Sequence, residues 1–187
     1  MGRVLAVLRA QRQARRHGLT LGRRVKLGPK VNLRAHHGAS IVIGDRVEIG
    51  GYTTVVAQAG AHVIIDDDVF ISGFCIIAAI ESVTIGRDSM LAEMVCIRDH
   101  DHDPDLPPKS GAALSAPVHI GARVWLGSKS SVLRGGRVGD DSVVGAHALV
   151  RDHIPSGVLA VGLPARVARP RGEPAPPVAV AAADDEP

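Results

Sequence analysis

Residues 118–155 read V-H-I-G-A-R-V-W-L-G-S-K-S-S-V-L-R-G-G-R-V-G-D-D-S-V-V-G-A-H-A-L-V-R-D-H-I-P. Taken in sixes, the stretch places an aliphatic side chain at Ile120, Leu126, Val132, Val138, Val144 and Val150, usually followed by Gly. A period this short marks one unit copied along an axis, each copy burying its apolar residue against its neighbours. Six residues are too few for a helix to turn and pack, but enough for a short strand and a tight corner. Glycine then serves where φ must be positive or where two backbones approach closely.

Working outward, the same beat recurs upstream at Ile43, Ile49 and Val55, at Ile65, Ile71 and Ile77, and at Ile85, Leu91 and Ile97. Each group has three members, so three hexads close one triangular coil and the unit is an all-β prism. Between groups the count slips. Val55 predicts a start at 61 and it arrives at Ile65; Ile77 predicts 83 and it arrives at Ile85. These slips read as corner bulges. One slip is large: Ile97 predicts a start at 103, and the next arrives 17 residues late, at Ile120. The coil that begins at Val25 is irregular, with Leu27 and Leu33 in phase and the third side expected to be short.

Composition agrees with a thin prism. Aromatic residues are 2% of the 187, so the core must be filled by Val, Ile, Leu and Ala, and a single domain accounts for the length. A net charge of +3, with one Trp, one Tyr and two Phe, offers almost no stacking platform for bases, and no nucleic-acid partner is expected. Cys75 and Cys96 fall inside hexads and read as reduced packing residues, without the CxxC spacing of a zinc site.

The divisions are an N-terminal helix or cap over 1–24, the prism over 25–155 with an inserted loop at 98–117, a closing segment over 156–169 and a disordered tail over 170–187. The helix, from about Val4 to His17, has Val4, Leu5 and Leu8 on one side and Arg9, Arg12, Arg15 and Arg16 elsewhere. It suits a cover for the open first coil and, alternatively, weak association with an anionic membrane surface. Its apolar run is too short and too interrupted by Arg for a secretory signal or a span, so a cytoplasmic location is expected. The tail is rich in Pro, Ala and acid and has no amphipathic period.

A stack of coils is chemically inert, so function belongs where the beat breaks. The loop R-D-H-D-H-D-P-D-L-P-P-K-S-G-A-A-L-S-A-P, residues 98–117, cannot add a coil and must project. His100 and His102 stand at its root among Asp99, Asp101 and Asp103. Three readings are open on these residues. A histidine with a neighbouring aspartate can act as general base on a hydroxyl; nitrogen and carboxylate ligands can hold a metal; or the loop is a solvated surface. His147 and His153 lie one hexad apart, on different sides of the prism, and read as surface residues.

The segments P-V-H-I-G-A-R-V-W-L-G-S, G-D-D-S-V-V-G-A-H-A-L-V and I-P-S-G-V-L-A-V-G-L-P-A-R-V-A-R carry a resemblance. Over residues 25–169 the chain resembles the left-handed β-helix hexapeptide-repeat acyltransferases. It is most similar to the galactoside and maltose O-acetyltransferases and to related exopolysaccharide and O-antigen acetyltransferases. The resemblance implies a left-handed parallel β-helix and acetyl transfer from acetyl-CoA, as co-substrate rather than resident cofactor, to a sugar hydroxyl in surface-polysaccharide synthesis. It also implies a homotrimer with active sites between subunits.

In that family the catalytic histidine follows the last aliphatic of a coil by five residues, which selects His102 as base, with His100 as the reserve and Asp99 beside it. For the donor it points to Trp125 near the thioester, to Ser128 and Ala146 along the pantetheine, and to Arg166, Arg169 and, more weakly, Arg151 near the phosphates. Arg151-Asp152 stands where relatives often carry Thr-Lys, and the aspartates around the histidines replace a Thr-rich lead-in, which leaves the acceptor open. A small non-glycan acceptor, such as an antibiotic, serine or an amino sugar, is the alternative within the fold. A non-catalytic scaffold is the alternative outside it, and such a scaffold has no use for the inserted loop.

Overall fold

The structure, a computed structural model, describes residues 18–174. The expected helix over 4–17 and most of the expected tail lie outside the described residues. Three sheets of seven, eight and six strands form the sides of a parallel β-solenoid. On the first face Ser40–Ile43, His62–Ile65, Ser82–Ile85 and Val118–Ile120 lie side by side. Glu48–Ile49, Phe70–Ile71, Met90–Leu91, Trp125–Leu126 and Val143–Val144 make the second. The third holds Asn32–Ala35, Thr54–Ala57, Ile76–Ala79, Cys96–Arg98, Ser131–Val132 and Leu149–Val150.

Strands of two to four residues suffice because side chains alternate in and out along each one. The inward residue of every hexad therefore lands on the inward residue of the coil below: Ile43 on Ile65, Ile65 on Ile85, Ile85 on Ile120. Every aliphatic position that the hexad count singled out from Ile43 to Val150 is at most 2% exposed. Several polar groups in the interior are satisfied between coils, although the buried Ser130 hydroxyl has no partner among the described residues. The Thr53 hydroxyl donates to the Ser72 carbonyl at 3.0 Å and that of Ser89 to the Gly121 carbonyl at 2.9 Å. Both cysteines are free thiols, Cys75 buried and Cys96 half-buried, and desolvation pushes the Cys75 thiol up to about 11.

Three features depart from the expected geometry. The extra residues after Val55 and Ile77 do not bulge out. They lengthen the flanking strands to four residues, Thr54–Ala57 with His62–Ile65 and Ile76–Ala79 with Ser82–Ile85, and bury Ala57, Val63, Ala79 and Val83 as an additional inward layer. The first coil is long rather than short on its third side, where Asn32–Ala35 is a full strand, and it is preceded by Leu19–Leu21 against Ile41–Ile43. Finally, the glycines after the aliphatics are needed for close approach: a Cβ on Gly127 would lie 2.6 Å from the Ala146 backbone nitrogen. Left-handed positions fall to Gly38, Gly60 and Gly135 at the corner after the third face, but at the other two corners to residues such as Tyr52, Asp68, Phe74, Met94 and Arg123, at φ between 56° and 62°.

Chain closure comes from Val158–Val161, which continues the second face and turns back into Arg166–Pro170 as an antiparallel pair. Replacing a fully packed inward residue leaves a cavity that neighbouring coils cannot fill. Leu91→Ala is expected to lower unfolding stability by about 2–5 kcal/mol, whereas Arg23→Ala, which removes an exposed ion pair to Asp45, should cost under about 1 kcal/mol. Denaturant midpoints of the two variants check this order.

Candidate active site

The third face ends its strand at Arg98, and there the regular path stops. Asp99 turns inward and is fully buried. Its carboxylate accepts the backbone N–H of Ile80 at 2.9 Å and of Glu81 at 2.8 Å. In an uninterrupted stack the next coil would satisfy such amides with its carbonyls, as Ala79 and Ala57 do for Gln58 and His36. Asp99 thus caps the edge left open where the chain leaves the third face.

Beyond it the expected loop is a hairpin. His100–His102 pairs antiparallel with Ala113–Ser115, matching His100 to Ser115 and His102 to Ala113. Ala116 N–H donates to the Asp99 carbonyl at 3.0 Å and returns the chain to the prism. Arg134, one coil further along, lies 3.5 Å from the Asp101 carboxylate and ties the hairpin to the third face.

Two residues apart on one strand, the imidazoles of His100 and His102 share a side of the hairpin, but their surroundings differ. His100 is half-buried, and its Nδ1 lies 2.8 Å from Asp99 Oδ1. A carboxylate there accepts the Nδ1–H, which leaves the Nε2 lone pair free and fixes the ring plane. His102 is exposed. The five-residue count selects His102; the geometry gives the oriented imidazole to His100. Among the described residues no three His, Cys, Asp or Glu side chains gather as a metal cluster.

The donor candidates fall on the second face and the corner beyond it. Trp125 points outward from the second face, 45% exposed, between Met90 and Val143. Ser128 and Ala146 occupy the same place in successive coils of the next corner, where His147 N–H donates to the Ser128 carbonyl at 2.9 Å. Arg166 lies 3.7 Å from the carboxylate of Asp152, the sequence neighbour of Arg151, just past the last strand of the third face. Arg169, in the antiparallel closing strand opposite Leu159, turns its guanidinium to the Pro170 carbonyl at 3.1 Å. Within one chain, then, Trp125, Ser128 and Ala146 form one group and Asp99 and His100 another, on a different edge of the prism.

Two side chains escaped the reading of the sequence. Glu93 accepts the Ser128 hydroxyl at 2.6 Å, and Arg134 braces the hairpin. Superposing coils would have exposed Glu93, because it occupies the corner place held by Gly51 and Gly73 in the two preceding coils. A cavity of about 580 Å³ beside Lys26, Glu48 and Phe70 opens at the first coils and holds neither histidine.

No family model matches the chain. WbbJ of Escherichia coli K12, assigned as a lipopolysaccharide biosynthesis O-acetyl transferase, is 44% identical over 101 residues, 49% of this chain and 52% of that protein. The acetyltransferase-designated Rv3034c of Mycobacterium tuberculosis is 36% identical over 156 residues, 82% of this chain and 44% of that one. The galactoside O-acetyltransferase of Escherichia coli K12 is 39% identical over 90 residues, 47% of this chain and 44% of that protein. The chain thus spans about half the length of the relatives it matches. Among solved structures, an N-acyltransferase of Bacillus cereus, AntD, superposes with a TM-score of 0.72 at 18% identity, covering 87% of this chain and 89% of the other.

Removal of the Asp99 carboxylate should loosen the hairpin root. Asp99→Ala is expected to cost about 1–3 kcal/mol, the usual effect of leaving buried donors unpaired, and to speed amide exchange at Ile80 and Glu81 by an order of magnitude or more; an unchanged exchange rate at both would contradict the capping role. In sequence the chain is similar to named O-acetyltransferases and in fold to a solved acyltransferase, so it resembles the hexapeptide-repeat acyltransferases in both.

Proposed function

We propose that the chain is an acetyl-CoA-dependent O-acetyltransferase acting on a sugar hydroxyl in surface-polysaccharide synthesis, on a left-handed coil. The observation that carries the reading is the Asp99–His100 pair at the root of the long break, an imidazole already oriented with one nitrogen free. The relatives named for lipopolysaccharide and galactoside O-acetyl transfer support the acceptor class, and the structure of AntD with coenzyme A supports an acyl-CoA donor.

In the proposed step Nε2 of His100 takes the proton of the acceptor hydroxyl as its oxygen attacks the thioester carbon. Collapse of the tetrahedral adduct breaks the C–S bond, and the imidazolium returns the proton to the departing thiolate. The products are an acetyl ester and free coenzyme A, with no covalent enzyme intermediate. The donor lies along the corner at Ser128 and Ala146, with Trp125 beside the thioester and the fixed charges of Arg151, Arg166 and Arg169 toward the phosphates.

His100 and Trp125 stand on different edges of the prism. One copy therefore supplies the base and its neighbour the donor groove, and a closed cyclic trimer is the assembly in which every site is completed in this way. The second reading makes His102 the base. Its place on the same side of the hairpin and its family offset favour it.

Thiol release from acetyl-CoA with a panel of sugars separates these readings. His100→Ala is expected to lose about 10²–10⁴-fold in turnover, the usual contribution of a positioned base, while His102→Ala loses far less. The reverse order moves the base to His102, and wild-type rates in both variants would sink the catalytic assignment. A double Arg166→Ala, Arg169→Ala variant should raise KM for acetyl-CoA more than KM for the acceptor.

A further inference from the structure

The corner between the second and third faces forms one continuous column. Backbone N–H groups of Phe74, Met94, Lys129 and His147 donate to the carbonyls of Gly51, Gly73, Glu93 and Ser128 at 2.9–3.1 Å. Gly51, Gly73, Glu93, Ser128 and Ala146 therefore follow one another, coil upon coil. If the donor enters from the closing segment and passes Ala146 and then Ser128, the next coil along the same groove is that of Glu93, where the reacting end must meet the acceptor.

Glu93 is the one charged residue in this run of small ones. One carboxylate oxygen is occupied by the Ser128 hydroxyl at 2.6 Å, while the other carries no hydrogen bond among the described residues. That hydroxyl, ahead of the backbone N–H of Glu93, holds the carboxyl below the usual range, so it is ionised at neutral pH. Exposed apolar side chains of the same coil and the coil below flank it, Met90 at 41%, Met94 at 48% and Phe74 at 56%, and the charge of Lys129 adds a smaller pull on the same carboxyl. A fixed carboxylate within apolar surface matches a pyranose, whose adjacent hydroxyls can donate to the free oxygen while its C–H face rests on the side chains. The same charge repels a carboxylate or phosphate on the sugar.

We infer that Glu93 is a specificity-determining residue that selects uncharged pyranose acceptors by accepting hydrogen bonds from their vicinal hydroxyls. This rests on the acetyltransferase reading and on the donor course given above, and it narrows the acceptor to neutral sugars.

Methyl β-galactoside, methyl α-glucoside and galacturonate serve as probes, first by calorimetric binding to the protein loaded with coenzyme A and then by thiol release from acetyl-CoA. Wild type is expected to bind and use the neutral sugars at least tenfold better than galacturonate. Glu93→Gln keeps an acceptor for Ser128 and removes the charge. It should weaken neutral-sugar binding by about 10–100-fold, the range of a hydrogen bond to a charged group, leave KM for acetyl-CoA within twofold and shrink the discrimination against galacturonate. Equal use of galacturonate by wild type, unchanged neutral-sugar binding in Glu93→Gln, or a shift confined to acetyl-CoA would overturn the inference. Binding that responds to Glu93→Gln without any thiol release would instead refute the enzyme reading and leave the sugar site standing.

Discussion

Each coil of this protein is held by the coil beneath it at the equivalent residue, and that register governs everything else. Inward aliphatics stack on inward aliphatics, and backbone donors of one coil meet carbonyls of the next. Where two backbones touch, as at Gly127 over Ala146, there is no room for a side chain. The contact between coils is short, repeated and parallel, so the rod is rigid along its axis. Stability is spread over many small, similar interfaces rather than concentrated in one core.

A prism this narrow cannot take a ring inside. The one Trp, one Tyr and two Phe are all exposed, from 45% at Phe70 and Trp125 to 56% at Phe74. All four stand on the second face or the corner next to it, where Tyr52 stacks on Phe74 with ring centroids 5.0 Å apart. Tyr52, Phe74 and Met94 adopt a positive φ that bulky residues rarely accept. The corner tolerates them because hydrogen bonds to the coil on either side over-determine the backbone. The opposite corner solves the same geometry with charge, through Arg46 to Asp68 and Arg123 to Asp141. These exposed pairs fix side-chain direction more than they add stability.

The register fails at the hairpin. The hairpin interrupts the stack and leaves the amides of Ile80 and Glu81 without the carbonyls that another coil would present. Asp99 fills that gap with its carboxylate, and the same group orients His100. One buried aspartate thus repairs the fold and sets an imidazole in place. The Arg134–Asp101 ion pair secures the arm from the other side of the break.

Much of this was legible in the sequence, because a six-residue period can be satisfied by few architectures. The inward positions from Ile43 to Val150 and the location of the break follow from counting. Three things did not, since each depends on what lies one coil away and not on what is adjacent in the chain. The extra residues after Val55 and Ile77 extend strands because Ala57 and Val63 find inward space between neighbouring coils. Glu93 gains its partner only because the hairpin, which lengthens the chain between coils, still returns Ser128 to the same corner. And two histidines that look alike in a run of aspartates are told apart by depth: Asp99 folds into the prism and takes His100 with it, while His102, two residues further out on the arm, is left in the open.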